Sequence, residues 1–147
     1  MKYKKRRTYK YNLHSEEQVE TGITLAQPFD SPFLSLSEKG LLTIKKGYSW
    51  DGASGPAIDT KNILKASLVH DALYQLMREE VLPQSSREQA DRLLRQICLE
   101  HGMSNFRATY IYYGVRVFGG FFSKPDLLSA RWGVCFFTLY RALGSRF

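Results

Sequence analysis

The sequence lacks an apolar run long enough to cross a membrane. A spanning helix needs about 20 mostly apolar residues, and the longest candidate, residues 132–140, is closed by Arg131 and Arg141. A secretory signal is also lacking, because the basic start MKYKKRRTYK runs into polar residues rather than an apolar stretch. Cysteine is scarce. Cys98 and Cys135 are too few for a disulfide framework, so folding is expected in a reduced compartment. Export without a signal, by injection, lysis or carriage in a particle, stays open. Histidine is scarce too: His14, His70 and His101 fall short of what a His-Asp type metal phosphohydrolase requires. The two cysteines lack the paired spacing of a zinc site. No phosphate-cradling glycine loop is present, and no nucleophile elbow for Ser or Cys.

What is there suits a globular protein. The 147 residues are 44% hydrophobic and 24% charged, which excludes a disordered chain and predicts one domain spanning residues 1–147. The net charge of +7 is uneven. Residues 1–10 carry six basic groups and no acid, while the remainder carries 15 basic and 14 acidic side chains. This leader can attract the phosphate of nucleic acid or of lipid headgroups, or it is simply a solvated arm. Nucleic acid is not the expected partner, since the body of the chain is close to neutral.

Residues 11–56 read as a β part with a loop. Runs at 8–13 and 19–25 favour strands. Residues 33–37 and 41–46 alternate apolar and polar around Ser37-Glu38-Lys39-Gly40, a hairpin signal. Gln27-Pro28-Phe29-Asp30-Ser31-Pro32 is expected to interrupt the strands. From Thr60 the period becomes helical. Ile63, Ala66, Val69, Leu73, Leu76 and Met77 share one broad face, capped by Asp59 or Thr60. Ser85-Ser86-Arg87-Glu88 reads as a capping box, opening a helix with Ala90, Leu93, Leu94, Ile97 and Cys98 that stops at Gly102. A third helix, 104–118, is expected to end at Gly119-Gly120. Pro125 introduces a fourth at 126–143. The fold class is α+β: a small antiparallel β part, then three or four helices over 60–143.

Two places carry chemistry. Between strand and helix, Gly47-Tyr48-Ser49-Trp50-Asp51-Gly52-Ala53-Ser54-Gly55-Pro56 reads as an ordered loop whose only charge is Asp51. Its backbone carbonyls are free to face a ligand, unless Asp51-Gly52 is merely a turn. In the helix that follows, His70 and Tyr74 share the face of Ile63, Ala66 and Met77, with Asp71 on its flank. Burying such groups costs several kcal/mol unless they find partners. Asp91, at the edge of the next helix's apolar stripe, can reach across to His70. A carboxylate on one imidazole nitrogen fixes the tautomer and leaves the other nitrogen as a base. The bland alternative for Asp91 is a surface ion pair with Arg87.

The loop Asp51-Gly52-Ala53-Ser54…Pro56, then His70-Asp71-Ala72-Leu73-Tyr74, then Arg87…Asp91, resembles the pattern of prokaryotic secreted phospholipase A2. Residues 48–56 together with 70–74 also closely resemble a family of small uncharacterised proteins of tailed phages and prophages. That second resemblance covers roughly residues 30–120. The phospholipase resemblance implies an antiparallel helix pair, with His70 as general base, Asp91 orienting it and Tyr74 supporting Asp91. It implies calcium held by Asp71, Asp51 and the Gly52 carbonyl, and a lipid or similar ester as substrate. Ala53 stands where that family has a cysteine, and the β-rich first third has no counterpart in its pattern.

Two functions follow. One is a calcium-dependent, phospholipase A2-like ester hydrolase of phage or prophage origin. The other is a non-enzymatic phage protein, associated with the virion or tail or binding a host protein, for which the aromatic C-terminal third speaks. Either would be made in the host cytoplasm and be carried in the virion or released on lysis. The helix geometry predicts a His70–Asp91 contact of about 3 Å, with Tyr74 on the free oxygen of Asp91. It also predicts Asp51 and Asp71 carboxylates within about 6 Å of each other, near enough to share calcium.

Overall fold

The computed structural model describes residues 3–5, 11–52 and 61–125. Seven short strands precede the helices and form two antiparallel sheets. The strands β1 (Tyr3–Lys5), β2 (Tyr11–Leu13) and β7 (Ser49–Trp50) make a three-stranded sheet in that order. The other sheet runs β3 (Glu17–Glu20), β6 (Leu41–Ile44), β5 (Leu34–Leu36), β4 (Phe29–Asp30). The expected hairpin is β5–β6, with Leu34 opposite Ile44 and Leu36 opposite Leu42. Alternation sends those four side chains into the core and leaves Ser35 and Thr43 at its margin.

Four expectations about the β part are corrected. The basic leader is not wholly an arm, because Tyr3–Lys5 pairs with β2. The segment between Pro28 and Pro32 does not only interrupt. Phe29 and Asp30 form the edge strand of the larger sheet, a place where neighbouring prolines cost no ladder bond. Lys45 ties that edge back to the hairpin by bonding Asp30 and the Ser31 carbonyl. The 19–25 run stops at Glu20 because Thr21 folds its hydroxyl onto the Gly40 carbonyl and accepts from the Ile23 amide. The expected 47–56 loop begins as strand β7, paired with β2 through Trp50 opposite Tyr11.

The helical half is α1 (Lys61–Arg78), α2 (Arg87–Glu100), α3 (Asn105–Phe118) and a single turn, α4 (Gly120–Ser123). Among the described residues, no helix is long and apolar enough to cross a membrane. Ser104 caps α3 by accepting from the Arg107 amide, as Ser at an N-cap should. The expected capping box of Ser85 and Glu88 does not form. Gln84–Ser86 is a 3-10 turn that feeds α2 with backbone bonds, and no side chain caps the helix. Glu88 pairs with Arg92 instead. α3 ends at Phe118 with Gly119 at its C-cap, as expected, and the single turn α4 follows at once. The cap positions Asp59 and Thr60, and the expected helix 126–143, lie outside the described residues.

α1 is buried nearly all round and packs against both α2 and the β part. Trp50, 2% exposed, joins the two halves: its ring tilts against Tyr11, and its indole N–H donates to Ser67 Oγ of α1 at 3.3 Å. Gly40 combines a positive φ of +89° with a close backbone approach, since a Cβ there would sit 2.8 Å from the Ile23 carbonyl oxygen. Gly40→Ala is therefore expected to destabilise the protein by more than about 1 kcal/mol. The check is a fall in the urea midpoint at unchanged slope.

Candidate functional site

Asp91 is the centre of the site. It projects from the buried face of α2, beside Ala90 and Leu94, and none of its surface is exposed. Helical spacing places His70 and Tyr74 one turn apart on α1, opposite it. His70 Nε2 lies 2.7 Å from Asp91 Oδ1, and the Tyr74 hydroxyl donates to the same oxygen at 2.7 Å. The two rings pack at 4.0 Å between centroids. The expected contact between His70 and Asp91 is thus present, but the expectation for Tyr74 is corrected: it shares Oδ1 with His70. The other oxygen, Oδ2, accepts from Arg116 Nη1 of α3 at 2.9 Å and has Arg87 Nε at 4.0 Å.

Sequence reasoning missed Arg116. Its only signal was a basic residue late in a tyrosine-rich helix, and nothing in spacing links α3 to α2. Arg87, expected as a surface partner, instead contributes to a buried cluster and also bonds the Arg116 carbonyl at 2.9 Å. Glycine at 119 follows from the same packing, because a Cβ there would collide with the Tyr74 hydroxyl.

Electrostatics settle the proton positions. Burial alone would raise the Asp91 carboxyl. The bonds from His70 and Tyr74, the field of His70 and the Arg116 bond outweigh it and hold the group below the usual carboxylate range. Ionised Asp91 can only accept, so His70 Nε2 carries a proton, and in the neutral imidazole Nδ1 is the basic nitrogen. Burial, together with the bond to Asp91, pushes the Tyr74 hydroxyl above its ordinary range, so it stays a donor. Burial also raises the Cys98 thiol to about 11, which leaves it a packing residue rather than a nucleophile.

Asp71 follows His70 on the helix and has the opposite environment. Trp50 explains how it meets the strand end. Ser67 and Asp71 lie four residues apart on α1, one above the other, so docking Trp50 on Ser67 brings Asp51 toward Asp71. Desolvation pushes the Asp71 carboxyl up to about 7, with Arg78 opposing the shift and Asp51 adding to it. Part of Asp71 remains accessible, and among the described residues no donor hydrogen-bonds its carboxylate. Asp51 is exposed, and Gly52 is buried with φ +84°; Ala53, Ser54 and Pro56 lie outside the described residues. The charge of Asp51 adds to the proton affinity of Asp71, and a cation between them would relieve that repulsion. Among the described residues, no group of three or more His, Cys, Asp or Glu side chains could hold a metal. A cation at Asp51 and Asp71 would therefore take its remaining ligands from carbonyls such as Gly52 and from water, a donor set that calcium accepts.

Fold and site together define a small α+β protein with a buried carboxylate that joins three helices through a His, a Tyr and an Arg. A family model described as "Protein of unknown function (DUF1353)" matches residues 29–115, and the chain belongs to that family. The match runs from β4 into α3 and takes in Asp51, His70, Asp71, Tyr74 and Asp91, stopping one residue short of Arg116. No curated protein and no solved structure matches the chain.

Asp91→Asn would leave Arg87 and Arg116 facing a neutral group. The expected loss is about 3 kcal/mol, at the low end for a broken buried ion pair, because both arginines keep some solvent contact. Urea unfolding of the variant against the parent chain reads it.

Asp71 gives a pH signature of the opposite sign. A carboxyl raised on folding binds its proton more tightly in the native state, so stability falls as pH rises from about 4 to about 7 and is level beyond. Asp71→Asn is expected to raise the Tm in metal-free buffer at about pH 8 and to leave it unchanged well below pH 4.

Proposed function

We propose that this protein is an ester hydrolase in which His70 activates water, Asp91 and Tyr74 orient His70, and Asp51, Asp71 and the Gly52 carbonyl hold calcium. The observation that carries the reading is the pair of 2.7 Å contacts to Asp91 Oδ1, from His70 Nε2 and from the Tyr74 hydroxyl. They leave one imidazole nitrogen for chemistry. Further support is the likeness of the Asp51-Gly52 and His70-Asp71-x-x-Tyr74 patterns, with Asp91, to prokaryotic phospholipase A2. The eight residues between α1 and α2 suit the antiparallel hairpin of helices which that likeness implies. The substrate class is a phospholipid or similar ester, and the likeness to phage and prophage proteins supports a viral source.

His70 Nδ1 accepts a proton from water as the oxygen attacks the ester carbonyl carbon, and Asp91 stabilises the resulting imidazolium. As the bond from carbonyl carbon to leaving oxygen breaks, His70 returns the proton to that oxygen. Tyr74 and Arg116 keep the Asp91 carboxylate from turning while charge builds on the ring. Calcium, when bound, supplies positive charge that polarises the ester carbonyl.

A second reading keeps the helices as a scaffold in a non-enzymatic phage component that contacts a virion or host protein. The basic start of the chain, with six basic groups in residues 1–10, favours it.

Millimolar calcium is expected to raise the Tm of the parent chain and not that of Asp71→Asn. On mixed phospholipid micelles, His70→Ala is expected to cut ester hydrolysis about a hundred- to ten-thousand-fold. An unmoved Tm removes the calcium part, and unchanged hydrolysis in His70→Ala removes the catalytic part.

A further inference from the structure

α3 carries apolar residues on two opposite sides. Ala108 and Ile111 face the core with Val115. Phe106, Tyr110, Tyr113 and Val117 are 86%, 55%, 62% and 69% exposed, and their spacing of four, three and four residues confines them to an arc of about 60°. A helix with apolar residues on both sides needs cover on both. We propose that residues 126–143 of this chain dock along this outer stripe of α3, independently of what the Asp91 site does.

Three observations select that occupant. The first is where the chain leaves the helical half. Ser123 is fully buried, its carbonyl accepts from Gln84 Nε2 at 2.6 Å, and its hydroxyl donates to Gln84 Oε1 at 3.0 Å. Arg78 also bonds the Phe122 carbonyl at 2.6 Å. The exit at Lys124 and Pro125 is therefore pinned beside the Phe118 end of α3, and a segment returning along α3 meets Val117 first and Phe106 last.

The second is pattern. Twenty-two residues follow Pro125. At helical spacing Leu128, Trp132, Cys135, Phe136, Leu139 and Leu143 fall on one arc, with Arg131 and Arg141 off it. This stripe is as much in need of cover as that of α3.

The third is size. From Phe106 to Val117 the stripe is about 17 Å long, and residues 128–143 as a helix would extend about 22 Å, enough to cover it. A face of that length and one helix wide, even with Phe118 and Phe122 at its end, falls far below the roughly 800 Å² per partner of a stable association between separate chains. A tethered segment meets it at an effective concentration of about millimolar and needs no such area.

Native Cys135 offers the test in the full chain. Phe106→Cys, Tyr110→Cys, Tyr113→Cys and Val117→Cys are made singly and oxidised mildly. Cys98 does not compete, being buried. A disulfide within the monomer is expected at Tyr110→Cys or Tyr113→Cys, read as a two-dalton mass loss with no change in oligomer size. None is expected with Gln96→Cys, exposed on α2. In a Cys135→Ser background, Leu139→Cys is expected to shift the preferred partner one turn toward Phe106. Disulfides between two chains would make a second copy the occupant and overturn the proposal. So would the absence of any stripe-specific crosslink in both backgrounds. Flotation of the parent chain with phosphatidylcholine–phosphatidylglycerol vesicles, lost in Tyr113→Glu, would assign the stripe to a bilayer and overturn it as well.

Discussion

An ionised carboxylate with no exposed surface must be answered on both oxygens, and in this fold that requirement falls on Asp91. Its two oxygens draw donors from two other helices, His70 and Tyr74 from α1 and Arg116 from α3, with Arg87 of its own helix nearby. That one group ties α1, α2 and α3 together in the second half. The same cluster bears on a detail remote in sequence, glycine at 119, where a side chain would displace the Tyr74 hydroxyl. The cluster is polar, yet Asp91 itself has no exposed surface and lies beside the buried Ala90 and Leu94, so its hydrogen-bond donors come from the protein.

Two aspartates on neighbouring helices show how environment divides one side-chain type into two roles. Asp91 is surrounded by donors and held ionised below its ordinary range. Asp71 is desolvated, has no donor on its carboxylate among the described residues and has a like charge nearby, and its carboxyl rises to about 7. The first is fixed by an imidazole, a phenol and a guanidinium; the second keeps its proton to a higher pH than an ordinary carboxyl. The β part contributes through Trp50, which sets the strand end carrying Asp51 against α1. The family match spans β4 into α3, so the strand and helices that position Asp51, Asp71 and Asp91 fall within what defines the family.

Much of the fold was legible because its signals are local. Alternation in residues 33–46 fixed the β5–β6 hairpin, and helical periodicity located α1, α2 and α3 to within a residue or so at their ends. The misses are non-local. Phe29–Asp30 and Ser49–Trp50 are two-residue strands that exist only because a neighbour supplies the ladder. The capping box failed because a 3-10 turn had already satisfied the helix start through the backbone.

The sequence by itself determined an α+β chain, the helical spacing that puts His70 and Tyr74 on one face, and a neighbouring helix bearing Asp91 at the edge of its apolar stripe. Only the tertiary structure decided which oxygen each donor takes, that Arg116 holds the second one, and that Asp71 is desolvated while Asp91 is neutralised. The reason is range. Periodicity reports on neighbours three and four residues away, whereas the charge state of a buried carboxylate depends on every donor the fold brings to it. The last of those donors, Arg116, lies 25 residues along the chain, on a different helix.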